Sequence, residues 1–172
     1  MSINNSYTTQ RARALGFRSG FECDVADYLD TLGAKYVYED KVKCCFNYFS
    51  PVNNGKVVDV EWNIKDMKKG WRVVQLCNYT VDFAILSGPN PWYIETKGRF
   101  TSPDRKKHRL LKEQYPKADI RILFQYDGKA TPKLRYSDWC DKYDISYGFI
   151  TKPTKHTPGK FIPDKWMGDL TP

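Results

Sequence analysis

Two carboxylates and a lysine, Asp82, Glu95 and Lys97, are the residues whose types and spacing best support chemistry in this sequence. Mg²⁺ prefers carboxylate oxygens and keeps positions free for water and phosphate. A cation held by two carboxylates, with a lysine beside it, suits hydrolysis of a phosphodiester. The alternative is a solvated acidic pair with a weak salt bridge, because the spacing of these three residues is not specific on its own.

A β-hairpin would bring these three side chains together. Residues 79–86 and 91–97 are largely apolar, and the Ser-Gly-Pro-Asn sequence between them consists of turn formers. We therefore predict two antiparallel strands joined by a four-residue loop. If the last residue of the first strand pairs with the first residue of the second, Asp82 lies opposite Glu95. Lys97 shares their face because side chains alternate along a strand.

The other face of this hairpin is apolar, so we expect it to be buried. Directly opposed carboxylates have Cβ atoms about 5 Å apart and repel each other, and a bound cation would remove that repulsion. The convergence of the charged groups on one face favours the metal site over the solvated pair. The apolar face comprises Val81, Phe83, Ile85, Trp92 and Ile94.

The net charge of +8 is concentrated in the second half of the chain. Residues 1–96 carry 11 Lys and Arg against 11 Asp and Glu, whereas residues 97–172 carry 17 against 9. This asymmetry indicates a polyanionic partner, although a merely soluble basic surface is the alternative. With 172 residues, we expect one principal domain.

The sequence predicts neither a membrane segment nor a disulfide framework. No apolar stretch is long enough to span a bilayer, and the N-terminus lacks the apolar core of a signal peptide. The five cysteines form no CxxC pair, which argues against a structural zinc site and for a reducing compartment. We expect a cytoplasmic protein with these cysteines free: Cys23, Cys44, Cys45, Cys77 and Cys140.

Three segments of the chain are distinguished by composition. Residues 1–16 are polar and basic and are predicted to be a mobile N-terminal arm. Residues 17–150 form the main domain, with an extra hairpin segment at about 44–78 that contains an Asn-Gly turn signal. Residues 151–172 contain four prolines and are predicted to be an extended tail, packed on the core through Phe161, Ile162 and Trp166.

The first predicted helix begins at Ser19 and ends at Gly33. Glu22 follows Ser19 by three residues, which is the spacing of a capping box, so position alone favours a cap over catalysis for this glutamate. Strands are predicted at 35–43 and, centrally, at 119–125, and a short helix at 137–143.

A basic helix is predicted from Ser102, as N-cap, to about Tyr115, with a proline at its first position. It carries cations that could contact phosphate, although a solvated amphipathic helix is the alternative. His108 lies among these cations. It is predicted either to contact phosphate or water, or to be a plain surface histidine. The cations are Arg105, Arg109 and Lys112 on one face, flanked by Lys106 and Lys107.

Together these segments resemble the bacteriophage endonuclease I family, Holliday-junction resolvases of the PD-(D/E)xK nuclease superfamily. The likeness covers most of residues 17–124, with a weaker echo in KFIPDKW at 160–166. It rests on FRSGFE at 17–22, YEDKV at 38–42, YTVDF at 79–83, ETKG at 95–98, DRKKH at 104–108, EQYP at 113–116 and DIRILF at 119–124.

The resemblance implies an α/β fold with a restriction-endonuclease-like mixed sheet flanked by helices, in an intertwined homodimer. It implies that Glu22, Asp82, Glu95 and Lys97 are catalytic, with Glu22 contributed by one subunit and the other three by its partner. The expected cofactor is Mg²⁺ or Mn²⁺, two ions per active site, bound by Glu22, Asp82, Glu95 and the Thr96 carbonyl.

The expected substrate is branched DNA, and four-way junctions above all; rival interpretations are a nuclease of linear duplex and a catalytically silent DNA-binding module. If the chain is phage-encoded, the host cytoplasm is its expected location.

Val81 stands where the family often has proline, and residues 44–78 are longer than the family segment that bridges the subunits. The residues expected to contact DNA are Arg18, Ser19, Arg99, Arg105, Lys106, Lys107 and His108.

Overall fold

The described chain begins with two helices, continues through a run of strands and then mixes strands with helices. A computed structural model describes residues 3–51, 74–87 and 90–170, and the side chains of residues 3–8, 51 and 74 are not described. The elements are α1 (Ile3–Ala14), α2 (Gly20–Thr31), β1 (Tyr36–Tyr38), β2 (Cys45–Pro51), β3 (Val74–Thr80), β4 (Phe83–Ile85), β5 (Trp92–Lys97), α3 (Ser102–Gln114), β6 (Ile120–Phe124), β7 (Lys129–Thr131), β8 (Leu134–Arg135), α4 (Tyr136–Lys142), β9 (Tyr147–Phe149) and a 3₁₀ helix (Asp164–Asp169).

A five-stranded mixed sheet with the order β1-β4-β5-β6-β9 organises the protein, and the predicted mixed α/β class is confirmed. β1, β4 and β5 are antiparallel, whereas β5, β6 and β9 are parallel. Helix α2 and the C-terminal tail pack on one face. Helix α3 packs on the other face with the β2–β3 pair, and α4 packs there beside the end of β6.

The predicted hairpin register is confirmed. Phe83 pairs with Ile94 and Ile85 with Trp92, and both apolar pairs are buried against α2. The prediction of one continuous strand over 79–86 is wrong, because the chain bends at Asp82 between β3 and β4. Val81 therefore packs with the α3 cluster on the opposite side from Phe83.

Strands β2 and β3 form a separate two-stranded antiparallel sheet. Tyr48 and Phe49 of β2 pair with Cys77 and Leu76 of β3, within the segment predicted to be an extra hairpin. The Asn-Gly turn signal at 54–55 lies outside the described residues. The Gln114 amide donates to the Phe49 carbonyl and accepts from its N–H, which satisfies the open edge of β2.

The first helix replaces the mobile arm that the sequence predicted for residues 1–16. Residues 3–14 form α1, because the helix has a surface to pack on: Ala12 is buried, and Arg11 forms an ion pair of 2.6 Å with Asp27 of α2. Low apolar content alone does not reveal such a docking contact.

The boundaries of other helices and strands differ from the predicted ones because of local packing. The predicted strand over 35–43 is only three residues long, because the backbone turns at Glu39, which has a φ of +43°. Helix α3 is capped by Thr101 rather than Ser102, in a reciprocal capping box with Asp104. The predicted central strand is confirmed as β6 and the short helix as α4.

The C-terminal tail is anchored as predicted. Ile162 and Trp166 are buried in the α2 cluster, and Phe161 packs against it. Residues 164–169 are not extended but form the 3₁₀ helix, because this turn brings Trp166 and Leu170 onto the sheet together. All five cysteines are free thiols, and no described helix is long and apolar enough to cross a membrane.

Candidate active site

Asp82 occupies the bend between β3 and β4 and is 2% exposed. Its Oδ2 accepts hydrogen bonds from the Thr96 N–H at 2.7 Å and the Thr96 hydroxyl at 2.6 Å. Its Oδ1 lies 2.6 Å from Nη2 of Arg18. Burial, and then the nearby Glu95 carboxylate, raise the pKa of Asp82 to about 7, so a positive charge close to this group favours its ionised form.

Glu95 lies on β5 and is equally buried. Its Oε1 lies 2.5 Å from Nζ of Lys97, whereas its Oε2 is buried and makes no hydrogen bond of standard geometry. The Tyr79 hydroxyl is buried in the same state and interacts with the Glu95 carboxylate, which helps to raise the pKa of Tyr79. A buried carboxylate oxygen whose hydrogen bonding is incomplete is destabilising. Mg²⁺ and Mn²⁺ bind carboxylate oxygens, so this atom beside Asp82 fits the predicted cation.

The Thr96 carbonyl lies on the same side of β5 as Asp82. The Lys97 carbonyl accepts from the Gln125 N–H on the β6 side. Because the backbone groups of successive strand residues point in alternate directions, Thr96 directs both its N–H and its carbonyl towards β4. The structure therefore brings together the two carboxylates and the carbonyl that the sequence singled out.

Two lysines converge on one aspartate beside this pair. Lys97 and Lys107 place their Nζ atoms 3.7 Å and 3.8 Å from Oδ1 of Asp104. Burial lowers the pKa of Lys97, but the Glu95 carboxylate raises it, and the net shift is upward. Burial lowers the pKa of Lys107, which also lies 4.0 Å above the Tyr79 ring. Lys107, predicted on an exposed helix surface, instead lies largely buried at the edge of the site.

Glu22 is held at the start of α2 beside this site. Its N–H donates to Oγ of Ser19, as a helix cap requires, but its carboxylate does not close the predicted box. Instead, Oε2 accepts from the Arg18 N–H at 3.0 Å and from the Tyr38 hydroxyl at 2.5 Å. In the described part of the chain, no three His, Cys, Asp or Glu side chains are grouped to hold a metal, so the role of Glu22 in a second ion site stays a prediction.

The predicted DNA contacts are divided between exposed and buried positions. Arg99 and Lys106 are exposed. Arg105 donates to the Phe100 carbonyl at 2.6 Å and borders a shallow groove of about 180 Å³ with Arg109, Trp139 and Tyr143 among its walls. Ser19 serves as the cap of α2.

His108 does not lie on the surface, so the predictions of a surface histidine and of a phosphate contact are wrong. Its side chain is 3% exposed and packs between the rings of Tyr79 and Phe100. Burial lowers its pKa well below the ordinary value, so it is neutral. The predicted cationic stripe is also partly neutralised, because Lys112 pairs with Asp144 at 2.9 Å and Arg109 with Glu113 at 3.8 Å.

Sequence reasoning missed four residues that surround the carboxylate pair. Tyr38 and Glu39 lie in the YEDKV segment, and Asp104 in DRKKH, so the quoted motifs contained them without indicating a role. Tyr79 is buried, and burial and the Glu95 carboxylate raise its pKa well above the ordinary value. No spacing rule connects these positions, because long-range packing brings them to the site.

Comparison with known proteins identifies the family. The family model described as Phage endonuclease I matches residues 56–170. Endonuclease I of Escherichia phage T7 is 32% identical over 169 residues, covering 94% of this chain and 85% of that protein. Endodeoxyribonuclease 1 of Enterobacteria phage T3 is 31% identical over 171 residues, covering 89% of each. The chain therefore belongs to the phage endonuclease I family.

Proposed function

We propose that this protein is a metal-dependent DNA endonuclease of restriction-endonuclease-like fold that resolves four-way junctions and other branched DNA as a homodimer. One observation carries the proposal: the buried pair of Asp82 and Glu95, with a carboxylate oxygen that makes no hydrogen bond of standard geometry and with Lys97 beside it. The names of the two relatives, an endonuclease and an endodeoxyribonuclease, support hydrolysis of DNA as the reaction.

The chain's own groups divide the work of cleavage. Asp82, Glu95 and the Thr96 carbonyl would hold Mg²⁺ or Mn²⁺, with Glu22 as a ligand at a second ion. When bound, such an ion supplies Lewis-acid chemistry, which lowers the pKa of water and neutralises charge at the phosphate. Lys97 is oriented by Glu95 and Asp104. Its ammonium stabilises the negative charge that develops on the phosphate oxygens during in-line attack.

Flanking phosphates would be held by cations around the site. Arg99 and Lys106 are exposed, and both lie within ten residues of Lys97. Phosphate contacts position a duplex but do not distinguish bases. Selectivity for a junction would therefore come from the shape and deformability of the DNA.

A homodimer would present two equivalent sites to a four-way junction, which needs two symmetric cuts. Glu22 belongs to α2, whereas the other three catalytic residues belong to the β4–β5 hairpin. Residues 39–81 connect these two parts. If that connection crosses between subunits, the ion pair of Arg18 with Asp82 can form between subunits instead, with Glu22 placed beside the hairpin of the partner chain, and each site becomes composite.

Cleavage of a four-way junction in Mg²⁺ tests the function. The purified protein is incubated with a radiolabelled junction or with a linear duplex of the same arm sequence, and products are separated on a denaturing gel. We expect paired cuts in the junction and much less cutting of the duplex, with no cutting by Asp82→Asn. Equal cutting of both substrates would favour the duplex nuclease, and binding without cutting would favour a silent DNA-binding module.

A mixed dimer tests the shared site. Glu22→Gln and Glu95→Gln subunits with different affinity tags are co-expressed, and the heterodimer is isolated through both tags. With composite sites, one site carries both substitutions and the other carries neither, so the heterodimer nicks one strand while both homodimers are inactive. If Glu22 acts within its own chain, both sites are damaged and a verified heterodimer does not nick.

A further inference from the structure

The Arg18 guanidinium forms an ion pair with the carboxylate oxygen of Asp82 that a metal ion would bind. Oδ2 of Asp82 already accepts two hydrogen bonds from Thr96, and a carboxylate oxygen has two lone pairs. A cation must therefore approach Oδ1, where Arg18 Nη2 lies 2.6 Å away. Mg²⁺ binds oxygen at about 2.1 Å, which would place two positive groups against the same atom.

The two partners of this ion pair differ in their freedom to move. Asp82 is buried, whereas the side chain of Arg18 is 59% exposed. The Arg18 backbone N–H is fixed to Oε2 of Glu22, so only the guanidinium can leave. It has a second partner at hand, since Nη2 lies 2.5 Å from Oε1 of Glu39.

Glu39 is held in place by an uncommon backbone conformation. Its φ of +43° lies in the left-handed region, which a residue with a Cβ adopts only when its surroundings impose it. In this conformation its N–H donates to the Asp82 carbonyl at 2.8 Å. This hydrogen bond ties Glu39, whose carboxylate would receive the Arg18 guanidinium, to Asp82, which would release it.

We propose that Arg18 is an exchangeable cation of this site: it neutralises Asp82 before metal binds, and metal binding releases it to a DNA phosphate. The inference rests on the proposed function. Because a phosphate that draws Arg18 away also frees Oδ1, DNA and metal bind with positive coupling, and each strengthens the other by the same factor. Arg18 is thus a positioning residue that links substrate binding to metal loading.

The first measurement is metal affinity without DNA, by titration of Mn²⁺ followed through the electron paramagnetic resonance of the free ion. Arg18→Ala removes the competitor, and a hydrogen bond to a charged group is strong enough to change affinity by about tenfold. We therefore expect Mn²⁺ to bind Arg18→Ala about tenfold more tightly than wild type. Arg18→Lys keeps the charge and should lie between them, and Arg18→Gln replaces the alanine variant if that does not fold.

Arg99→Ala is the matched control, because it removes an exposed positive charge near Lys97. It should change Mn²⁺ affinity by less than about twofold, the scale of a solvent-screened surface charge. The second measurement is the affinity for a four-way junction in EDTA and in Ca²⁺. Ca²⁺ should strengthen binding less in Arg18→Ala than in Arg99→Ala.

The outcomes separate this inference from the function on which it rests. If wild type binds Mn²⁺, Asp82→Asn does not, and Arg18→Ala binds no more tightly than Arg99→Ala, the exchange is refuted while the metal site stands. If neither wild type nor Arg18→Ala binds Mn²⁺, the metal-dependent function fails and the exchange fails with it. Tighter binding by Arg18→Ala, with a weakened effect of Ca²⁺, supports the exchange.

Discussion

Asp82→Asn should make the metal-free protein more stable at neutral pH while abolishing its cleavage of DNA. Burial, and then the Glu95 carboxylate, raise the pKa of Asp82 from its ordinary 3.8 to about 7. A shift of this size corresponds to about 4 kcal/mol. Asparagine can still accept both Thr96 hydrogen bonds, but its amide N–H group faces Arg18 and loses a bond worth about 1 kcal/mol.

The direction in which the free energy of unfolding changes with pH follows from proton linkage. The folded protein binds a proton at Asp82 more tightly than the unfolded chain does, so this contribution to stability is fully present below about pH 4 and is lost as the pH rises through about 7. The free energy of unfolding of wild type should therefore fall over this window, and that of Asp82→Asn should fall less. At pH 8, in EDTA, we expect the variant to be about 3 kcal/mol more stable.

Urea denaturation between pH 4 and 8, at one protein concentration because a dimer's stability depends on it, measures this difference. Adding Mg²⁺ at about 100 times its Kd should stabilise wild type by about 2.7 kcal/mol and leave Asp82→Asn unchanged. Asp104→Asn is a control, because its expected change in stability has the opposite sign. Burial raises the pKa of Asp104, but Thr101 and Lys97 lower it and the net shift is downward, so this variant should lose stability at pH 8.

Two results would refute the reasoning. If Asp82→Asn is no more stable than wild type at pH 8, burial does not make the ionised carboxylate unfavourable. If wild type and variant share one pH profile between pH 4 and 8, Asp82 does not titrate in that window. In either case the need for a cation at Asp82 would have no electrostatic basis.

The remaining predictions concern cleavage, DNA binding and the core. Glu95→Gln should abolish cleavage in saturating Mg²⁺ but retain junction binding, because it removes a negative charge facing DNA; full activity on a denaturing gel would contradict its metal role. Lys106→Ala should weaken binding equally across arm sequences and reduce the salt slope by about one; a loss confined to one sequence would indicate base reading. His108→Ala should destabilise the fold by about 2–4 kcal/mol in urea denaturation, with an unchanged salt slope; a reduced slope would place this histidine at phosphate.

Much of the candidate site could be predicted from the sequence because its signals are local. The turn-forming tetrapeptide and the two-residue period of the flanking strands determine which residues pair, and Phe83 does lie opposite Ile94. Ser19 caps its helix by contact with an N–H three residues away. Asp82, Glu95 and Lys97 converge for the same reason, since one short hairpin carries all three.

Local signals misplaced the residues whose environment is set by distant segments. His108 and Lys107 look like exposed members of a basic helix, but β3 supplies Tyr79, whose ring contacts both of them. Residues 3–14 look unstructured by composition, yet they form a helix because α2 provides a surface and a partner for Arg11. Composition reports the average preference of a segment and not what packs against it.

The sequence by itself determined the register of the β4–β5 hairpin, the Ser19 cap of α2 and the chemical identity of the carboxylate pair, because each depends on residues within a few positions or one turn. Only the tertiary structure decided that Asp82 bends out of a continuous strand, that Glu95 Oε2 is buried without a hydrogen bond of standard geometry, and that Arg18 covers Asp82. The Arg18–Asp82 contact joins positions 64 residues apart. Such a contact exists because β1 and α2 pack against the β4–β5 hairpin, and burial in that packed interior gives the carboxylates their need for a cation.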